Sequence, residues 1–456
     1  MDSETRSCAA ALFAAVEKLP IISPHGHTDP RWFAENAHFE NATSLLITPD
    51  HYVLRMLISQ GISMQQLGFS KAGQTSDAQP HDVWQLFAEN YHLFRGTPSR
   101  MWLDHTFATL FDLSEPLNAD TARHYYDTIN EKLADEAFRP RALFERFNIE
   151  AIATTESALD DLSWHKQIAA SGWSGRVITT YRPDSVIDPD FEGFADNIKR
   201  FGALTGCDVS TFDGYIDAHR QRRAFFRQHG ATATDHGHPS ASTADLLTDD
   251  AAALYQRIIQ GNYQPDDAEL FRGQMLTEMA RLSVEDGMVM QLHPGSHRNH
   301  HAGMMADYGR DKGFDIPTRT DYVSALKPLL NAVGMQPDLT IIMFTLDETA
   351  YARELAPLAG AYPCLKLGPA WWFHDSPEGM MRYRQQVTET AGFYNTVGFN
   401  DDTRAFCSIP ARHDVARRVD CAFLAQQVGR GILRMDEAHE LAWELAYGLA
   451  KKAYKL

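Results

Sequence analysis

The chain is poor in cysteine and in positive charge, and both deficits exclude function classes. Its five cysteines are Cys8, Cys207, Cys364, Cys407 and Cys421, and no two stand in a C-x-x-C spacing. That excludes zinc ribbons and thioredoxin-like redox centres. A sparse, odd count suits a reducing compartment, so the expected location is the cytoplasm. Lys and Arg number 42 against 60 Asp and Glu, a net charge of −18. Nucleic-acid binding through phosphate neutralisation needs the opposite sign, so no nucleic-acid partner is expected. The one basic cluster, Arg220, Arg222, Arg223 and Arg227, reads as a solvated helix face. Long apolar runs are missing as well. The longest, near Thr340–Leu346, falls far short of the ~20 residues of a membrane helix, so no membrane partner is expected. Asp2 and Glu4 precede the apolar Ala9–Val16, where a signal peptide carries positive charge. That stretch reads as a helix leading to the first strand.

Several catalytic motifs are also absent. There is no G-x-G-x-x-G, no Walker A motif, no H-E-x-x-H and no G-x-S-x-G. Nucleotide cofactors, zincin chemistry and the α/β-hydrolase elbow lose support accordingly. What the chain does have is ordinary globular composition, 44% hydrophobic and 22% charged, over 456 residues. This length suggests two to four domains unless one large barrel absorbs it. It also has 20 histidines, which direct attention to metal chemistry.

Eight short apolar runs recur along the chain, each followed by a helical pattern. They are Leu19–Ser23, Ile149–Thr154, Arg176–Tyr181, Gly230–Thr234, Gly287–Leu292, Thr340–Thr345, Pro363–Leu367 and Asn395–Phe399. Alternating strands and helices imply βαβ units and a parallel sheet, and eight units imply a closed (β/α)8 barrel. The spacing predicts one barrel domain over residues 1–456, with a mostly helical insertion over 30–147. The chain should end in one helix capped by Asp436, with Leu441, Leu445 and Leu449 on one face.

Almost every run ends in functional side chains. In a parallel barrel these ends converge on one face, where active sites sit. Run 1 ends in His25-Gly26-His27, run 3 in Tyr181-Arg182-Pro183-Asp184, and run 4 in Asp235-His236-Gly237-His238. Run 5 ends in His293, and run 8 in Asp401-Asp402-Thr403-Arg404. Residues i and i+2 of a strand point the same way, so His25 and His27 form a candidate metal pair, with Gly26 allowing close approach. Asp402 would lie beside them if the barrel closes. Arg404 and Arg182 on the same face call for an anionic ligand, because guanidinium grips carboxylates bidentately. Equally, they could neutralise local acids.

H-x-H after the first strand with Asp after the eighth resembles the amidohydrolase superfamily. The details resemble the uronate (glucuronate) isomerase family. The matching segments are His25-Gly26-His27, Asp50-His51-Tyr52-Val53-Leu54-Arg55, Tyr181-Arg182-Pro183-Asp184, Thr234-Asp235-His236-Gly237, Met290-Gln291-Leu292-His293 with Arg298-Asn299, Ala370-Trp371-Trp372-Phe373, and Asp402-Thr403-Arg404-Ala405-Phe406. They stand in family order and span nearly the whole chain. The family commonly has Cys where this chain has Gly26, and an acidic residue near Ser23.

This resemblance implies a TIM-type barrel of the amidohydrolase type. It implies reversible isomerisation of D-glucuronate to D-fructuronate, and of D-galacturonate to D-tagaturonate, through an enediol. It also implies a divalent metal, zinc by ligand preference with manganese or iron as fits, held by His25, His27 and Asp402. Asp402 would accept the proton from the second carbon, Tyr52 would relay a proton, and His51 would orient the sugar. Arg404 would grip the carboxylate, with Arg182 as a second candidate. Arg55, His293, Arg298, Trp371 and Trp372 complete the expected substrate contacts. A metal-dependent hydrolase or decarboxylase on the same barrel is the alternative. Barrels of this size often form homo-oligomers, but no feature here specifies a symmetry.

Overall fold

Seven of the eight runs are strands of one parallel sheet in this computed structural model, which describes residues 2–456. They are β1 (Ile21–Ser23), β2 (Ile149–Ser157), β3 (Arg176–Arg182), β4 (Ala233–His236), β5 (Val289–Leu292), β6 (Ile341–Met343) and β7 (Leu365–Leu367). Neighbours in the sheet follow chain order, and every pairing is parallel. Parallel neighbours require a crossover each time, and helices supply it. Both faces of such a sheet are covered, which is why the strands are continuous apolar runs. β5 is buried at all four positions, and β6 at all three.

The eighth run departs from expectation. Asn395–Phe399 makes one bridge, Thr396 to Leu367, and no strand. Gly398 is the physical reason: its φ of +73° breaks the extended path. A side chain there would also meet the backbone of the C-terminal helix, 3.0 Å from the Leu445 carbonyl oxygen. The run still closes the ring at its far end, where His27 N–H donates to the Thr403 carbonyl at 3.1 Å.

Three further readings are corrected. β4 begins and ends later than predicted, so Asp235 and His236 lie in the strand rather than after it. The basic cluster on helix Phe212–Gln228 is only half a solvated face: Arg220 and Arg227 are exposed. Arg222 and Arg223 are buried; Arg223 clamps Asp286 at 2.7 and 2.9 Å, and Arg222 donates to the Ala158 carbonyl. The C-terminal helix is capped at Arg434, with Asp436 inside its first turn, and it widens into a π-helical turn at Glu444–Gly448.

Between β1 and β2 lie seven α-helices, from Pro30–Glu35 to Pro140–Arg146. Their apolar faces share one core cluster with Ile21, Ile149, Ile152 and Phe406, so the inserted helices pack directly on the β1–β2 side of the barrel. Beyond β5 the chain makes a second excursion. Ser296–His297 pairs antiparallel with Ile316–Pro317, and the helix Ala302–Tyr308 lies between them. Among the described residues no helix is long and apolar enough to cross a membrane.

Candidate active site

The carboxyl ends of the strands, the inserted helices and the excursion after β5 enclose a cavity of about 600 Å³. This is the size of a small-molecule pocket. His27, His51, Tyr52, Arg182, Arg298, Trp371, Trp372, Asp402 and Arg404 all line it.

At its floor is the metal-type cluster, with His27 and Asp402 on the cavity wall and His25 buried just behind them. His25 and His27 follow β1, and Asp402 follows the eighth run. The Nε2 atoms of both histidines lie 3.4 Å from Oδ1 of Asp402. Two ligand atoms about 2.1 Å from one ion at a tetrahedral angle stand roughly 3.4 Å apart. The donor set and its spacing therefore fit a divalent ion. Their protonation fits too. Burial holds both imidazoles below the usual histidine value, His27 at about 3. Burial alone would raise Asp402, but His25 and His27 beside it hold its carboxyl at about 2. Neutral imidazoles with an ionised carboxylate are the form that binds metal. Asp402 has φ +37°, a strained backbone for a residue with a side chain, and such strain gathers at functional positions. The indole N–H of Trp371 donates to its other oxygen. Gly26 is not forced by sterics, since a side-chain carbon there would reach only contact distance, 3.4 Å from the Thr403 carbonyl oxygen.

Behind this cluster lies a second layer, in which Asp235 was not among the expected site residues. Asp235 of β4 accepts from His293 Nδ1 at 2.6 Å and pairs with Arg182 at 3.1 Å. Burial alone would raise its pKa. Arg182, then His293 and His25, pull it well below the carboxylate range. His293 stacks on His25, with centroids 4.7 Å apart, and its Nε2 has no partner. His25, Asp235 and His293 thus form a second possible ligand set sharing one imidazole. The strand-end position of Asp235 was its signal in the sequence. A third group, Asp184, His236 and His238, is less suited to a cation. His238 stands 4.0 Å from Asp184, whose other oxygen already takes Arg182 at 2.8 Å.

Some expected substrate contacts lie elsewhere. Arg182 is held by Asp184 and Asp235, so it is not a free carboxylate clamp. His293 stands behind His25, off the cavity wall, and so does not face a sugar directly. Arg55 is off the wall as well, its guanidinium lying 4.7 Å over the Phe373 ring. Both Trp371 and Trp372 line the cavity. Trp372 stacks on Phe373 and faces Arg298.

Tyr52 enters from an inserted helix, His51–Ser59, whose N-cap Asp50 accepts from Tyr52 N–H at 2.9 Å. That cap turns the first helical residues toward the cavity. The Tyr52 hydroxyl donates to Asp375 at 3.0 Å and accepts from Phe373 N–H at 3.0 Å. Burial, with Asp375 adding to it, raises its pKa well above the tyrosine value. Asp375 pairs in turn with Arg412, which also donates to the Asp401 carbonyl. No motif signalled Asp375 or Arg412, because each takes its role from a partner far along the chain. His51 stacks against Tyr52, and burial lowers its pKa to about 4. Arg404 reaches the cavity mouth and pairs with Asp311 at 3.0 Å.

Comparison with known proteins agrees with this geometry. The sequence model of the glucuronate isomerase family matches residues 4–454. A uronate isomerase of Mesorhizobium japonicum is 64% identical, covering 100% of this chain and 97% of its own. The crystal structure of a glucuronate isomerase from Caulobacter crescentus superposes with a TM-score of 0.98 at 59% identity, covering 100% of this chain and 95% of that one. That of a uronate isomerase from Thermotoga maritima reaches 0.92 at 26% identity, covering 98% and 97%. With the HxH pair, the distal aspartate and the arginine in one cavity, and similarity running end to end, this chain belongs to the glucuronate isomerase family.

Proposed function

We propose that this protein interconverts D-glucuronate and D-fructuronate, and D-galacturonate and D-tagaturonate. The observation that carries the reading is one cavity holding a metal-type cluster, a carboxylate and an arginine at its mouth. A uronate has its reacting carbons at one end and its carboxylate at the other. The cavity offers a cluster for the first end and a cation for the second. A hydrolase or decarboxylase on this barrel has no comparable need for a carboxylate clamp separate from the cluster, and the family match argues the same way.

His25, His27 and Asp402 would hold the ion, which we take as zinc, the donor set being suited also to manganese and iron. When bound, it supplies Lewis-acid polarisation of substrate oxygens. Asp402 takes the proton from the second carbon and returns it to the first, passing through the enediol. Tyr52, its hydroxyl placed between Asp375 and the Phe373 amide, relays the accompanying proton between the two sugar oxygens. His51 stays neutral at physiological pH and orients the sugar. Arg404 grips the carboxylate, Arg298, held in place by Asp315, offers its remaining N–H groups beside it, and Trp371 and Trp372 supply an apolar wall.

The test is direct. Purified protein is incubated with D-glucuronate or D-galacturonate, and the ketose is followed before and after chelation. Ketose formation that disappears with the ion is expected. No ketose from either sugar at any metal loading would sink the assignment.

A further inference from the structure

Arg404 is the cation assigned above to the sugar's carboxylate, and it is already paired. Its Nη2 lies 3.0 Å from Oδ2 of Asp311, and both side chains are about two-fifths exposed at the cavity mouth. Asp311 belongs to the excursion after β5, and that segment is firmly seated. Asp315 accepts from Arg298 at 3.1 Å and from Asn299 N–H at 2.7 Å. Lys71 pairs with Asp307 at 2.8 Å, tying the segment to the inserted helices. Gly313 has φ +86°, and a side-chain carbon there would stand 2.8 Å from Cβ of Arg55 and 3.0 Å from the His51 carbonyl oxygen. Only glycine lets the segment close on the helix that carries His51 and Tyr52. Asp311 itself has φ +61°, a backbone that costs energy for a residue with a side chain, though aspartate tolerates it better than most. Seating and backbone together deliver one carboxylate to the guanidinium.

We infer that Asp311 is an internal stand-in for the substrate's carboxylate: it holds Arg404 while the cavity is empty, and a sugar acid binds by displacing it. This rests on Arg404 being the carboxylate clamp. A partly buried guanidinium such as Arg182 can hold two carboxylates, but Asp311 is more exposed, at the mouth, so repulsion by the incoming carboxylate drives it off Arg404 into water. A tethered competitor lowers the affinity of every carboxylate by the same factor. A uronate has further contacts with the floor and walls, whereas a simple anion such as acetate has none and is kept out. The resident pair thus sets a threshold: the ratio of affinities is unchanged, but only acids with those further contacts fill the cavity at moderate concentrations.

Asp311→Asn removes the charge and keeps a residue that tolerates φ > 0. An exposed pair of this kind corresponds to roughly a two- to fivefold competition. The KM for D-glucuronate should fall by that factor in the variant, while kcat stays within about twofold. Inhibition by acetate should become measurable at lower concentrations. Asp311→Glu, which keeps the charge, should stay near the parent value. In an Arg404→Met background the Asp311→Asn effect should vanish. A KM that rises or holds in Asp311→Asn overturns the inference. So does an equal gain in the Arg404→Met background, because Asp311 would then act by general repulsion. Calorimetric binding of L-gulonate, the sugar acid with its aldehyde reduced, separates the two readings. It reports the displacement of Asp311 even if no isomerase activity is found, and tighter binding to Asp311→Asn is the result that supports it.

Discussion

Asp402 combines two demands on one side chain. One oxygen faces both imidazoles, and the other takes the Trp371 indole. Asp402→Asn keeps the shape and tolerates the positive φ, but it removes both the charge proposed to hold the ion and the proposed proton acceptor. General-base removal costs on the order of 10²–10⁴ in rate. Turnover should therefore fall at least about a hundredfold, measured by steady-state ketose formation, with bound metal reduced in elemental analysis. Full activity would place the base elsewhere. Arg404→Met tests a different contact. Charge-assisted hydrogen bonds are worth about 1.5–3 kcal/mol, so kcat/KM for glucuronate should drop about 10- to 100-fold. An unchanged specificity constant would remove Arg404 from the clamp.

At the scale of an element, β2 carries its own pH dependence. Thr155 and Ser157 face the cavity, so Glu156 points the other way, buried against Thr179 and 3.8 Å from His165. Burial raises its pKa from the ordinary 4.5 to about 7. Between those values the folded state binds a proton that the unfolded chain has lost. Stability therefore falls as pH rises through that window, and the loss is complete above it. The full shift corresponds to about 3 kcal/mol. Glu156→Gln keeps an acceptor for Thr179 and should be more stable than the parent at pH 8. Its advantage should shrink toward pH 5 in urea denaturation. A gain independent of pH would show that ionisation of Glu156 is not its source.

At the scale of the whole molecule, the metal-type cluster sits on the seam of the barrel. Its members come from opposite ends of the chain, and the eighth run lacks a strand ladder of its own. An ion binding the folded state at a hundred times its Kd adds about 2.7 kcal/mol. Chelation should lower Tm by several degrees and abolish turnover together, and restored ion should return both. A Tm unmoved when bound metal reaches zero would uncouple the cluster from the seam.

Strand positions, the parallel order and the strand-end clustering were legible because they depend on local pattern. Apolar runs of strand length between helical periods admit few topologies. The H-x-H pair, Asp402 and Arg404 could be read because strand ends meet on one face of a barrel. The eighth strand was misread because Gly398 and the packing of the C-terminal helix override its apolar run. Arg222 and Arg223 were misread because a helix does not reveal which face its neighbours cover. Asp235, Asp375 and Asp311 were not picked out as site residues, since each acts through a distant partner: Arg182, Tyr52 and Arg404. The amino-acid sequence by itself determined the barrel and the residues able to do chemistry. Tertiary structure alone decided which charges neutralise one another and which still face the cavity, because pairing depends on distances between segments far apart in the chain.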